Sequence, residues 1–246
     1  MELLKTMPGN WDFHSAWDGF LEENEQSIYN VIRYLMSQEN YTPGIENIFR
    51  FMRNDLESAK IVIIGQDPYP EEGRATGRAF EVLGLEDWQE PFRQVSLKNI
   101  VRLLYYNYQA ASRSSVYQIP FNQIRGEISS GAFKIKCPPK LFQSWESQGV
   151  ILLNRYLTCQ IGNPGSHRKL WKPLTDNIIR YIRKVNPYMS WFLWGTDAKA
   201  IEPMLCGERN VAVYSCRHPM LCSEKYEDDF LKSKCFKDTM DRVFWL

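Results

Sequence analysis

The segment Ile61-Val-Ile-Ile-Gly-Gln-Asp-Pro-Tyr-Pro70 decides the fold class, because an unbroken β-branched run leads directly into a polar turn. The run from Ile61 to Ile64 lacks the alternation of apolar and polar residues found in a strand with one face in water. A continuous run of this kind is typical of a strand covered on both faces, as in a parallel sheet. The segment therefore predicts a buried strand that ends close to Gly65.

Three further apolar runs of strand length follow along the chain, at residues 150–153, 189–194 and 211–214. Helical periodicity lies before, between and after the runs, at about residues 27–36, 45–52, 97–108, 173–185, 197–205 and 228–243. Strands that alternate with helices favour parallel pairing with helices packed on the sheet. The pattern predicts a single α/β domain with a central, mostly parallel four-stranded sheet flanked by helices on both faces.

The chain has 246 residues, which fits one α/β domain over residues 1–246. The least regular stretch, about residues 109–140, is rich in Ser, Gly, Tyr and Lys and is interpreted as an inserted long loop or a pair of short elements. No apolar run approaches the roughly 18 residues that a membrane span needs. Residues 1–10 also lack the basic and apolar pattern of a secretory leader, so we expect an intracellular protein.

The charges nearly cancel, since 30 basic residues face 29 acidic ones and leave a net charge of +1. No global field attracts nucleic acid, so any contact with DNA has to come from a local patch. The six cysteines are scattered, without a Cys-x-x-Cys pair or a Cys/His cluster at metal spacing. We therefore expect reduced thiols and no metal site.

Polar residues follow the predicted strands, at the edge where a parallel α/β sheet binds its ligand. Asp67 comes after the first strand, Asn154 ends the second and His218 follows the fourth. A carboxylate at a rigid turn can orient water or stabilise a cation, an amide can read the edge of a pyrimidine, and an imidazole can act as a donor. Each residue also has an ordinary structural alternative: a turn residue for Asp67, a helix cap for Asn154 and a structural hydrogen bond for His218.

Other catalytic signatures are missing from the sequence. There is no Gly-x-Ser-x-Gly elbow, no Walker loop and no Gly-x-Gly-x-x-Gly fingerprint. A cysteine hydrolase that used Cys216 or Cys222 with His218 would lack an orienting partner and an oxyanion site. The aromatic residues near the Asp67 turn, Tyr69 and Phe80, fit either a binding pocket or the core.

Taken together, five motifs in register resemble the uracil-DNA glycosylase family, in its main uracil-excising branch. They are Gly65-Gln-Asp-Pro-Tyr69 with Gly77 and Phe80, Leu152-Leu-Asn154 with Leu157-Thr158, Ser166-His167 with Trp171 and Thr175-Asp176, Leu193-Trp-Gly-Thr196, and His218-Pro219. Their order and approximate spacing hold from about residue 11 to the end. The resemblance implies a DNA repair enzyme that flips uracil out of DNA and hydrolyses its N-glycosidic bond. Free uracil and an abasic site would remain, and no cofactor or metal would be needed.

The resemblance also implies a role for each matching residue. Asp67 would stabilise the positive sugar and position water, and His218 would donate to uracil O2. Uracil binding would fall to Gln66, Tyr69, Phe80 and Asn154, with Tyr69 excluding the thymine methyl group. DNA binding would fall to Ser96, Thr196, Pro219, Met220, Leu221 and Ser223.

Two departures from the family pattern bear on these roles. Pro70 stands where the common pattern has histidine, although poxvirus members also look like Asp-Pro-Tyr-Pro. The loop after His218 reads Pro-Met-Leu-Cys-Ser in place of Pro-Ser-Pro-Leu-Ser. Leu221 is the candidate for the wedge that fills the gap left by a flipped nucleotide, Cys222 aligns better by count, and packing of Leu221 into the core is the alternative.

The poxvirus-like features leave a second hypothesis, a DNA-binding or replication-scaffold protein of the same fold with weak or secondary excision. Retention of Asp67, Asn154 and His218 favours the enzyme. The expected partners are single- or double-stranded DNA that contains uracil, and a proteinaceous glycosylase inhibitor or a replication protein, but no membrane. We expect a monomer, located in the nucleus for a eukaryotic or viral source and in the cytoplasm for a bacterial one.

Overall fold

The computed structural model describes residues 2–9, 11–109, 115–206 and 211–246. Its strands are β1 (Tyr41–Thr42), β2 (Ile61–Gly65), β3 (Val150–Asn154), β4 (Cys159–Gln160), β5 (Ser190–Trp194) and β6 (Val213–Cys216). The central sheet has the order β3-β2-β5-β6, and its three strand pairs are all parallel. A small antiparallel pair, β1 with β4, lies apart from it. The predicted four-stranded sheet is therefore confirmed.

The helices surround this sheet. They are α1 (Glu2–Lys5), α2 (Asp18–Met36), α3 (Val95–Tyr108), α4 (Phe121–Ser129), α5 (Pro138–Ser147), α6 (Arg168–Val185), α7 (Thr196–Lys199) and α8 (Glu202–Leu205). Short 3-10 turns cover Ser15–Trp17, Ile45–Asn47, Arg50–Arg53, Val116–Gln118, Pro219–Leu221, Phe230–Lys232 and Lys237–Thr239. Among the described residues, no helix is long and apolar enough to cross a membrane.

Alternate residues of each central strand enter two different hydrophobic cores. Ile61 and Ile63 of β2 face a core that contains residues of α3, α4, α5 and the C-terminal segment. Val62 and Ile64 face the opposite core, which contains residues of α2 and α6. Because both faces are covered, every position of the strand favours an apolar residue. This explains the unbroken run that the sequence shows.

Three of the predicted helices do not form as single helices. Residues 45–52 form two 3-10 turns because Phe49, with φ −103° and ψ 26°, interrupts the helical path between them. Residues 197–205 divide into α7 and α8, where Pro203 lies at the start of α8. Residues 228–243 form only short 3-10 turns, because Asp229 bonds to Tyr117 and to the Ser223 N–H and so ties the chain to the loop beside the sheet.

The fourth strand lies two residues later than predicted. Parallel pairing of Trp191 with Val213 and of Trp194 with Cys216 fixes its register, so the loop that carries His218 begins at Arg217. The stretch at 109–140 contains the Val116–Gln118 turn, α4 and the first residues of α5. Its residues 110–114 lie outside the described chain.

Candidate active site

A cavity of about 360 Å³ opens at the carboxyl ends of the central strands. Among the residues predicted from the sequence, eight line it: Gln66, Asp67, Tyr69, Phe80, Ser96, Asn154, His218 and Met220. Its other lining residues are Pro68, Pro70, Glu71, Ala75, Arg78, Glu81, Arg93, Gln94, Val95 and Pro164. The topology thus brings together residues that are up to 154 positions apart, from Gln66 to Met220.

The ends of β2 and β3 bring Asn154 next to the start of the turn that carries Asp67. Gly65 pairs with Asn154 in the parallel register, and the Arg155 N–H donates to the Gly65 carbonyl at 2.8 Å. The Tyr156 N–H continues the ladder to the Gln66 carbonyl at 2.9 Å. A side chain at Gly65 would put its Cβ 2.5 Å from Asn154 Oδ1, so only glycine leaves room for the amide.

The Asp67 carboxylate has one satisfied oxygen and one that is open. Gln66 Nε2 donates to Oδ2 at 2.7 Å. Oδ1 is buried, and no group of the described chain donates to it with normal hydrogen-bond geometry. Burial raises the pKa of Asp67, while the Gln66 bond and the Gly165 N–H oppose this effect by favouring the ionised form. A buried, open carboxylate oxygen can accept a hydrogen bond from water or face a positive charge.

The His218 imidazole is held in one tautomer. Its Nδ1 accepts a hydrogen bond from the Met220 N–H at 3.2 Å, which leaves the proton of the neutral ring on Nε2. Burial lowers the pKa of His218 and so favours the neutral form. Asn99 Nδ2 anchors the loop by donating to the Pro219 carbonyl at 2.6 Å. Gly195, with φ +100°, lies against the ring, since a Cβ there would be 3.0 Å from the ring atom Cδ2 of His218.

Phe80 has a backbone conformation that is unusual for a side chain of its size, with φ +67°. Its ring centroid lies 6.1 Å from that of His218 and 5.2 Å from that of Trp194. The Tyr69 hydroxyl donates to the Phe80 carbonyl at 3.4 Å. Positive φ at a large aromatic residue is typical of functional sites, where surrounding contacts maintain a strained geometry. In this backbone conformation the Phe80 side chain lines the same cavity as Asp67 and His218.

Two charged residues beside Phe80, Arg78 and Glu81, line the cavity and were not predicted from the sequence as part of the site. Arg78 donates to Glu81 at 2.8 Å and to Glu146, and both Arg78 and Glu81 expose only 7% of their side chains. The spacing of Arg78 and Glu81 around Phe80 was the available signal. Because each buried charge has a partner, this wall of the cavity carries an ion cluster with no unpaired carboxylate from Glu81 or Glu146.

The residues predicted to contact DNA lie at the starts of α3 and α7 and in the segment after His218. Ser96 is buried near the start of α3, and Thr196 is exposed at the start of α7. Leu221 exposes 54% of its surface and Met220 exposes 55%, so the alternative in which Leu221 packs into the core is wrong. Thr196, Pro219, Leu221 and Ser223 do not line the cavity itself.

The cysteines near His218 do not form a nucleophilic site. Burial raises the pKa of Cys222 to about 12 and that of Cys216 well above its ordinary value. Cys222 Sγ points to the Pro219 carbonyl at 3.2 Å, and all six cysteines are free thiols. In the described part of the chain, no three His, Cys, Asp or Glu side chains come close enough together to hold a metal ion.

The chain is similar in sequence to curated bacterial proteins. It is 30% identical over 209 residues to the uracil-DNA glycosylase of Mycolicibacterium vanbaalenii, a match that covers 83% of this chain and 79% of the relative. It is 29% identical over 210 residues to the uracil-DNA glycosylase of Mycobacterium tuberculosis, with the same coverage. No protein-family model matches the chain.

Solved structures share its fold. The uracil-DNA glycosylase (UNG) of Nitratifractor salsuginis superimposes with a TM-score of 0.69 at 18% identity, over 98% of this chain and 95% of that one. A mimivirus UNG variant in complex with UGI superimposes with a TM-score of 0.63 at 22% identity, over 84% and 70% of the two chains. These identities show the fold alone. The sequence match at 30% identity over 79% of the Mycolicibacterium relative shows that the chain belongs to the uracil-DNA glycosylase family, DNA repair enzymes that hydrolyse N-glycosyl bonds.

Proposed function

We propose that this protein takes uracil out of the DNA stack into the cavity and cleaves its bond to the sugar, which releases free uracil and leaves an abasic site. The main supporting observation is the meeting of Asp67, Asn154 and His218 at one cavity. The cavity combines an anion with an open oxygen, a buried amide and a neutral imidazole with its proton on Nε2. A base cannot reach such a cavity inside a duplex, so the nucleotide has to rotate out.

Recognition of the base follows from the donor pattern of its edge. Asn154 can donate to uracil O4 and accept from N3–H, whereas cytosine presents an amine at position 4 and a bare N3. Phe80 stacks on the ring, and Gln66 binds the base from the Asp67 side. Tyr69 stands at C5 and excludes a methyl group there, which rejects thymine.

Cleavage separates charge, and the two sides of the cavity match that separation. The bond between sugar C1′ and base N1 breaks with its electron pair on the base, where His218 Nε2–H stabilises the growing charge on O2. Asp67 stabilises the positive sugar, and its carboxylate orients the water whose oxygen bonds to C1′. The proton that this water loses leaves through Asp67, and uracil departs as an anion that is protonated in solvent.

Contacts with the DNA backbone surround the cavity. Hydroxyl groups of Ser96, Thr196 and Ser223 and backbone N–H groups around Pro219 bind phosphates, and these neutral donors agree with a net charge of only +1. Exposed Leu221 enters the stack in place of the flipped nucleotide, with Met220 beside it. The mimivirus relative forms a complex with UGI. We extend this to the present chain and propose that a protein inhibitor binds over the cavity. We also propose that the chain acts as a monomer.

An assay of base release in EDTA tests the proposal. Matched single-stranded and duplex oligonucleotides that contain uracil, thymine or no lesion are incubated with the protein, and abasic sites are cleaved with alkali. We expect cleavage only at uracil, and Asp67→Asn serves as the inactive control for a contaminating enzyme. Binding of these oligonucleotides without base release would overturn the proposal and favour the scaffold hypothesis.

A further inference from the structure

The wall of the cavity that leads to Ser96 is a loop without helix or strand. We call residues 86–94 the entry loop; Arg93 and Gln94 at its end line the cavity, and Ser96 follows them at the start of α3. Its internal hydrogen bonds are confined to a turn at residues 87–90 and one contact between Arg93 and Gln94, so they do not fix its path along the cavity. Its shape therefore depends on the groups packed against it.

Helix α4 supplies the largest set of these contacts through Arg125. Its Nε donates to the Trp88 carbonyl at 2.7 Å, and its Nη2 donates to the Glu90 carbonyl. In return, Gln89 Nε2 donates to the Arg125 carbonyl at 3.1 Å. One guanidinium thus joins two carbonyls of the entry loop that are two residues apart.

The same guanidinium also lies against aromatic rings. Its central carbon is 5.8 Å from the Phe92 centroid and 5.4 Å from the Phe121 centroid. Phe92 of the entry loop and Phe121 of α4 meet edge to face at 5.5 Å. Such contacts favour one orientation of the loop over others.

A third contact comes from the chain after α4. Trp88, which is 1% exposed, donates through Nε1 to the Lys136 carbonyl at 2.7 Å. The stretch that looked like an insertion in the sequence therefore packs on the entry loop at Trp88, Glu90 and Phe92. None of these contacts involves Asp67, Asn154 or His218.

We propose that Arg125 is a positioning residue for DNA binding, which holds the entry loop so that Ser96 and its neighbours meet the phosphates. This proposal rests on the proposed function for what the loop contacts. It requires arginine specifically, because a planar guanidinium can bond two carbonyls while it stacks on a ring. A lysine keeps the charge but has no such fork.

Steady-state kinetics on a uracil-containing strand test the proposal with Arg125→Lys, Arg125→Ala and the control Asn122→Ala, an exposed residue of the same helix. We expect both Arg125 variants to raise KM by about fivefold, the size expected from one or two lost hydrogen bonds, with kcat within about twofold of the parent. Asn122→Ala should match the parent. If Arg125→Lys also matches the parent while Arg125→Ala does not, charge alone is responsible and the proposal is wrong.

Limited trypsin digestion without DNA tests the loop directly, whether or not the protein excises uracil. Arg93 is exposed on the entry loop, and cleavage after it gives a fragment that mass spectrometry identifies. Loss of the Arg125 contacts should open the loop, so cleavage at Arg93 should be several-fold faster in both Arg125 variants than in the parent or Asn122→Ala. Unchanged cleavage in Arg125→Ala, with an unchanged melting temperature, would overturn the positioning role.

Discussion

The floor and the rim of the cavity are built in different ways. The floor consists of Asp67, Asn154 and His218, which lie at or within two residues of the ends of parallel strands whose positions are fixed by backbone bonds to neighbouring strands. The rim consists of the entry loop and the exposed Met220 and Leu221, which depend on side-chain contacts from α3 and α4. We infer that floor residues govern the chemical step, whereas rim residues govern how DNA is held.

The largest effects should therefore come from the floor. Asp67→Asn and His218→Leu should each lower the single-turnover rate of uracil release by about a thousandfold, because both groups act on charges that exist only in the transition state. Binding of abasic DNA should change little. A near-parental rate in either variant would show that the residue has another role.

A smaller floor effect should follow from adding a single methyl group. Gly65→Ala places a Cβ 2.5 Å from the buried Asn154 Oδ1, so the amide must move and uracil release should fall by about a hundredfold. The matched control is Gly126→Ala in α4, where an added Cβ meets nothing within 4 Å. The prediction would be contradicted by equal single-turnover rates in the two variants.

The floor was also the part of the site most open to prediction from sequence. The apolar run at Ile61–Ile64 indicates a buried parallel strand, and in such sheets ligands bind where the strands end. Residues at or just after the strand ends, such as Asn154 and Asp67, could be placed from this rule alone. The position of His218 was also predicted correctly. The strand β6 begins two residues later than expected, but His218 still follows its end closely.

The rest depends on contacts between distant segments that periodicity does not encode. The positive φ of Phe80 and the link from Arg78 to Glu146 are set by packing, and no local pattern at those residues signals them. The C-terminal stretch has a helical period, but Asp229 bonds to Tyr117, 112 residues away, and helix formation is lost there. The two carbonyl groups of the entry loop that Arg125 binds lie 35 and 37 residues before it in the chain.

Base selection should respond to one change in the cavity wall, at Tyr69. Tyr69→Ala removes the ring proposed to exclude a C5 methyl group, so thymine release should become detectable while uracil release falls by about tenfold. Oligonucleotides with a single thymine or uracil, compared under single-turnover conditions, measure both rates. If uracil release remains measurable and thymine release stays at background, another residue excludes the methyl group.

A rim residue should affect duplex and single strands differently. Leu221 is exposed, so Leu221→Ala should leave the melting temperature unchanged but lower uracil release from duplex by about tenfold. Release from a single strand should change little, because there is no stack to hold open. Met220→Ala, with similar exposure one residue earlier, is the comparison variant. Equal losses on both substrates would contradict a wedge at Leu221.

The smallest expected effect concerns the stability of the folded protein. It tests whether the ionised Asp67 carboxylate destabilises the fold. Burial raises the pKa of Asp67 above its ordinary value of 3.8, so the folded protein binds this proton more tightly than the unfolded chain. Stability therefore falls as pH rises through the interval between 3.8 and the raised pKa, and the ionised carboxylate destabilises the protein at neutral pH. Asp67→Asn should raise the melting temperature at pH 7 by a few degrees, at about 2–4 °C per kcal/mol for a chain of this size.

The pH dependence separates this effect from a change in packing. The stability advantage of Asp67→Asn over the parent should shrink as pH falls through the raised pKa and vanish only below pH 3.8, where the parent carboxyl becomes protonated in both the folded and the unfolded state. Asp55→Asn is the control of opposite sign, because a hydrogen bond from Ser58 lowers the pKa of that carboxyl and its loss cannot stabilise the protein at pH 7. If the difference in melting temperature between Asp67→Asn and the parent stays constant from pH 7 to pH 4, the amide packs better than the carboxyl group. The charge of Asp67 then does not destabilise the folded protein.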